Sequence, residues 1–137
     1  MKIRDLGVTP LTNRGLLLQV HTDEGITGLG APMNYEHGRT VERAILDMAE
    51  YLIGRDPLQI EDHWQTLYRS SYSRQMPILL AALSGIEMAC LDILGKSVGQ
   101  PVWKLQRNRF FFLRNSEIAC ICVSVKSPRS TKNAGLV

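Results

Sequence analysis

Side chains able to bind a polar small molecule or move a proton crowd one short stretch of this sequence, Asn34-Tyr35-Glu36-His37, inside the run Ala31 to Gly38. They supply amide and hydroxyl donors, a carboxylate and a titratable imidazole. Arg14, in Thr12-Asn13-Arg14-Gly15, carries a planar fork that can grip a carboxylate through two parallel hydrogen bonds. A third stretch, Ser71 to Pro77, reads SYSRQMP. Each has a plainer reading as a solvated connection or polar turn. All three therefore depend on the elements that hold them.

Other constellations are weaker. Gly28-Leu29-Gly30 lacks the third glycine and the following helix of a dinucleotide loop; strand glycines at a close backbone approach are the better account. Cys120-x-Cys122 has no second close pair to complete a zinc site, and His21, His37, His63 and Cys90 do not supply one. Glu61-Asp62-His63 places three consecutive residues in different directions on a helix, so a solvated face beside Trp64 is expected. Glu87 and Asp92 fall on different sides of one helix, while Asp92 and Lys96 have ordinary i,i+4 ion-pair spacing.

The positioning elements are legible from periodicity. Ile3 to Val8 reads as a strand with its turn at Thr12 to Gly15. Leu16, Leu18 and Val20 alternate with Leu17, Gln19 and His21, the two-residue period of a second strand. Asp23-Glu24-Gly25 suits a hairpin loop into a third. Helical spacing follows: Val41, Ala44, Ile45, Met48, Ala49, Leu52 and Ile53 form one apolar stripe, with Thr40 as cap and Gly54 as stop. Asp56-Pro57-Leu58-Gln59 looks like the opening of a second helix, striped by Ile60, Trp64, Leu67 and Tyr68. A third starts near Pro77 and is apolar nearly all round, with Leu79, Ala82, Leu83, Ile86, Ala89, Cys90 and Ile93 as its stripe. Gly99 and Pro101 break it. The expected class is α+β: a three-stranded antiparallel sheet followed by three helices.

Composition narrows the partners. The 137 residues carry a net charge of +3, but the excess sits at one end. Arg107, Arg109, Arg114, Lys126, Arg129 and Lys132 face Glu117 alone, whereas residues 1–106 are slightly acidic. No nucleic-acid partner is expected, since the tail shows no groove-reading motif. The N-terminus has no apolar signal core, and no run approaches the ~18 apolar residues of a membrane span. A reducing, cytoplasmic compartment is expected, with no membrane partner.

The residues in their order now resemble a known family. MKI, TDEGITGLGAP, RTVERA, YLIGRDPLQIEDHWQTLYR and PILLAALSGIEMACLDILGKSVGQPVWKL resemble the N-terminal domain of the enolase superfamily, in its mandelate racemase branch. The likeness is to acid-sugar dehydratases of the galactonate-dehydratase kind, and runs from residue 1 to about 105. It implies a cap paired with a β/α barrel. The implied reaction removes a proton next to a carboxylate, with Mg²⁺ stabilising the enolate and a Lys or His base taking the proton. In the family, loops of the cap close over the substrate, which points to Asn34, Tyr35, Glu36, His37 and Arg14. Two departures stand out: Ala31 where the family often has an acid, and Gln75-Met76 where many relatives have glycines.

Residues 1–106 are thus expected to form the capping domain, and 107–137 a basic, disordered, unrelated tail, such as a frameshift or fused fragment leaves. The tail's segment Ile118 to Val125 is apolar, β-prone and free of proline. A barrel needs roughly 200 residues, so no catalytic residue and no metal ligand is expected in this sequence. The chain alone is expected to be inactive, with an acid-sugar substrate and Mg²⁺ belonging to a complete enzyme. The alternative is a non-catalytic interaction module using the barrel-facing apolar surface, with association into a homo-oligomer open.

Overall fold

Three antiparallel strands open the chain: β1 (Ile3–Pro10), β2 (Leu16–Thr22) and β3 (Thr27–Gly30), in spatial order β1-β2-β3. The computed structural model describes residues 1–11, 15–32, 37–70 and 77–106. The period-two pattern of β2 is realised in burial, with Leu16, Leu18, Val20 and Thr22 inward and Leu17, Gln19 and His21 half-buried on the other face. At the β2–β3 turn Gly25 takes φ +81°, and Thr22 Oγ1 donates to the Ile26 carbonyl at 2.8 Å. The left-handed residue is therefore the glycine expected there.

Helices α1 (Gly38–Leu52), α2 (Ile60–Ser70), α3 (Pro77–Ser97) and α4 (Val102–Gln106) follow. The α1 stripe buries Val41, Ile45, Ala49 and Leu52. Its cap position is His37 rather than Thr40: the His37 carbonyl already accepts from Thr40 N–H at 2.9 Å and Val41 N–H at 3.0 Å, so Thr40 lies inside the first turn. The stop at Gly54 holds, with φ +83° and its N–H donating to the Ile3 carbonyl at 2.8 Å, which ties the helix end to β1. The second helix starts later than Asp56-Pro57 suggests. Asp56 Oδ1 accepts from Leu58 N–H at 3.0 Å, closing a turn on itself, and α2 begins at Ile60. The short α4 is an addition to the three helices expected; its five residues show no stripe long enough to read.

α3 is the spine. It packs on β3 and β2 and against α1, α2 and α4. By length and composition it is apolar enough to cross a membrane, which corrects the expectation of no such run: Glu87, Asp92 and Lys96 break up a stretch that is still apolar on average. Here Ala82, Leu83, Ile86, Ala89, Cys90 and Ile93 are buried in the domain core instead. Leu18, Val20, Ile45, Ile86 and Ile93 are almost fully buried. Each such side chain contributes about 1.5–3 kcal/mol from water exclusion. The helix ends in a Schellman closure: Gly99 takes φ +63°, its N–H donates to Lys96 O at 3.3 Å, and Gln100 N–H donates to Gly95 O at 2.9 Å. These residues lie in one compact unit, Met1–Arg107. The expected tail, residues 107–137, with Cys120 and Cys122, falls outside the described residues.

Candidate functional site

Of the sequence-derived candidates, His37 is among the described residues, at the start of α1. Asn34, Tyr35, Glu36 and Arg14 fall outside the described residues, as does Ser71 to Met76. Their anchors are described. Leu11 N–H donates to Gly15 O at 2.8 Å, which closes the β1–β2 hairpin on either side of the Arg14 stretch. The loop after β3 starts at Ala31 and buried Pro32 and ends at exposed His37, the cap of α1.

The root of that loop is set by small residues. A Cβ at Gly28 would overlap the Ala89 carbonyl oxygen, and one at Gly30 would overlap that of Gly85. At Gly85, a Cβ would stand 2.8 Å from Pro32 Cβ. Backbone thus lies against backbone along the β3–α3 seam, which no side chain but hydrogen permits. Gly28-Leu29-Gly30 is a packing seam, as the strand-glycine reading expects, and not a phosphate loop. Asp92 and Lys96 form the expected ion pair at 2.6 Å. They also bind β3: Leu29 N–H donates to Asp92 Oδ2 at 2.9 Å, and Lys96 Nζ donates to Thr27 O at 2.6 Å.

Sequence reasoning misplaced His63. Glu61 and Asp62 are exposed as expected, but His63 is only 2% exposed. Ile60, His63 and Leu67 make the buried face of α2, an i, i+3, i+7 stripe that reading His63 as polar concealed. Its Nε2 lies 2.7 Å from the Asp56 carbonyl oxygen, which can only accept, so that nitrogen carries the proton. Nδ1 and the neighbouring Tyr51 hydroxyl are buried without a hydrogen-bond partner, the two rings meeting edge-on at 5.8 Å. His63 also borders a narrow cleft with Trp64, Leu83, Glu87 and Cys90. Its open space, about 190 Å³, falls below the ~300 Å³ of small-molecule pockets. Burial first, and the charge of Glu87 second, push the Cys90 thiol up to about 12. A thiol so held is a core group and not a nucleophile.

Among the described residues, no three His, Cys, Asp or Glu side chains come together as a metal site. The described residues do not fit the divalent cation that the resemblance implies. What the geometry offers is a sheet–helix platform held by the β3–α3 glycine seam.

Such a platform is the N-terminal domain of enolase-superfamily proteins. It superposes on a superfamily member from Salmonella Typhimurium with a TM-score of 0.73 at 28% identity, covering 77% of this chain and 28% of that one. An enolase from Pantoea ananatis with bound D-gluconate and Mg gives 0.72 at 36% identity, over 76% and 26% of the two chains. Residues 8–106 match the mandelate racemase / muconate lactonizing enzyme N-terminal domain, and the chain belongs to that family. Among curated relatives, D-galactonate dehydratase of Ralstonia pickettii is 48% identical over 105 residues, 77% of this chain. That of Klebsiella pneumoniae is 46% identical over the same length. The chain spans about 28% of the length of these relatives.

Proposed function

We propose that residues 1–106 serve as the substrate-capping domain of an acid-sugar dehydratase of galactonate-dehydratase type. The reaction served is Mg²⁺-assisted removal of a proton next to a carboxylate, followed by loss of water. The observation that carries this reading is the 48% identity to a D-galactonate dehydratase across 105 residues. In this role Arg14 holds a substrate carboxylate or hydroxyl, and Asn34, Tyr35, Glu36 and His37 bind sugar hydroxyls and shut out water. Cation and base come from a barrel, so the 137-residue chain by itself performs no turnover. The same reading places the protein in the reducing cytoplasm.

Two measurements test it. The purified chain with D-galactonate and Mg²⁺ forms no keto sugar above background; metal-dependent product would refute the inactivity. Residues 1–106 are then exchanged for the corresponding segment of the Ralstonia pickettii enzyme. The chimera keeps D-galactonate turnover within about two orders of magnitude, the scale of a small misplacement near the substrate. A folded chimera with no turnover contradicts the capping role. A raised KM or lowered kcat on Arg14→Ala or His37→Ala in that chimera supports substrate contact by these residues.

A second reading, a non-catalytic interaction module, draws on Trp103 and Val98, 64% and 51% exposed near the end of the domain. A defined dimer of the chain in light scattering favours it, and a heterogeneous mass opposes it.

A further inference from the structure

Among the described residues β3 pairs with β2 on one side only, so its other side is a sheet edge. Edges present unpaired N–H and C=O groups to any incoming strand. In an antiparallel ladder, residues two apart turn these groups to the same side. On β3 those residues are Thr27 and Leu29. Two of their four outward groups are engaged: Leu29 N–H by Asp92 Oδ2 at 2.9 Å, and Thr27 C=O by Lys96 Nζ at 2.6 Å. One side chain supplies the acceptor and the other the donor. The pair is closed on itself through the same Oδ2 at 2.6 Å. Asp92 and Lys96 stand one turn apart on α3, the helix that the glycine seam presses onto β3.

We propose that Asp92 and Lys96 guard the outer edge of β3, standing in for a fourth strand and keeping a second copy of this chain from pairing there. As an ion pair alone they would contribute little, because Lys96 is 44% and Asp92 28% exposed. Their placement gains sense from the backbone groups they occupy. The strand they cover is short and uncharged, with Leu29 45% exposed beside the edge, and it has no proline or inward-pointing charge to repel a partner. A second copy is the fitting occupant because it brings an identical antiparallel edge, and a symmetric pair closes on itself.

Hydrogen exchange on the full chain tests the guard directly. The Leu29 amide is expected to be protected in the unmodified protein, although no strand among the described residues covers it. Asp92→Ala speeds its exchange by at least about tenfold, the scale of a lost hydrogen bond to a charged acceptor, and leaves the β2 amides unchanged. Free exchange of Leu29 in the unmodified protein overturns the proposal, and that reading needs no variant to fold. Asp92→Ala with Lys96→Ala raises the mass seen by light scattering above that of the unmodified chain. Adding Leu29→Pro, which removes the outward N–H without touching the β2 ladder, returns it. An unchanged mass in the folded double variant, or a raised mass that Leu29→Pro leaves in place, also overturns the proposal.

Discussion

Gly28 and Gly30 carry hydrogens where any other side chain would drive a carbon into the backbone of α3. The obstructing atoms are carbonyl oxygens of Ala89 and Gly85, which cannot swing aside as a flexible side chain can. Gly28→Ala and Gly30→Ala are each expected to cost about 3 kcal/mol or more, read as a lower urea midpoint. Cys90 gives a pH signature. Its folded-state ionisation is raised from 9.0 to about 12 by burial and then by Glu87. Above its ordinary range the unfolded chain releases the thiol proton while the folded one keeps it, so the unfolded state binds fewer protons and stability falls as pH rises. Below that range this group contributes no slope. Urea unfolding from about pH 9 upward should show a loss approaching 1.4 kcal/mol per pH unit that Cys90→Ala removes.

At the scale of elements, two left-handed glycines end the two longest helices. Gly54 turns the chain from α1 back onto β1, and Gly99 closes α3 before α4. Neither has a neighbour crowding its missing side chain, so the penalty for filling it is conformational alone. Gly54→Ala and Gly99→Ala should each lower stability by about 1 kcal/mol, seen as a drop in Tm, well below the cost at the β3–α3 seam. Strand periods, helix stripes and both stops were readable because they follow from local geometry and alternation. Element starts were less so. Thr40 and Asp56 are both good capping types, yet one lies inside α1 and the other closes a turn ahead of α2. Local chemistry permits several starts, and packing selects among them.

For the whole molecule, the expectation is a domain that folds without metal. Mg²⁺ should leave the Tm of the 137-residue chain unmoved at concentrations that stabilise complete dehydratases, because a ligand stabilises only the fold that binds it. A saturable rise in Tm would place a cation site in this chain. The candidate site was only partly legible. Residue types flagged the loops of Arg14 and of Asn34 to His37, but types alone do not bring loops together. His63 shows the opposite failure: its chemistry suggested solvent, and three-dimensional packing buried it.

By itself, the sequence determined the α+β class, the strand-then-helix order, the two glycine stops and the family, because these rest on periodicity, turn chemistry and motif order along the chain. Only the tertiary structure decided that Gly28 and Gly30 meet carbonyls some sixty residues away, that His63 turns inward onto the Asp56 carbonyl, and that Asp92 and Lys96 reach across to β3. Contacts of that kind depend on which faces come together, and no pattern confined to one element carries that information.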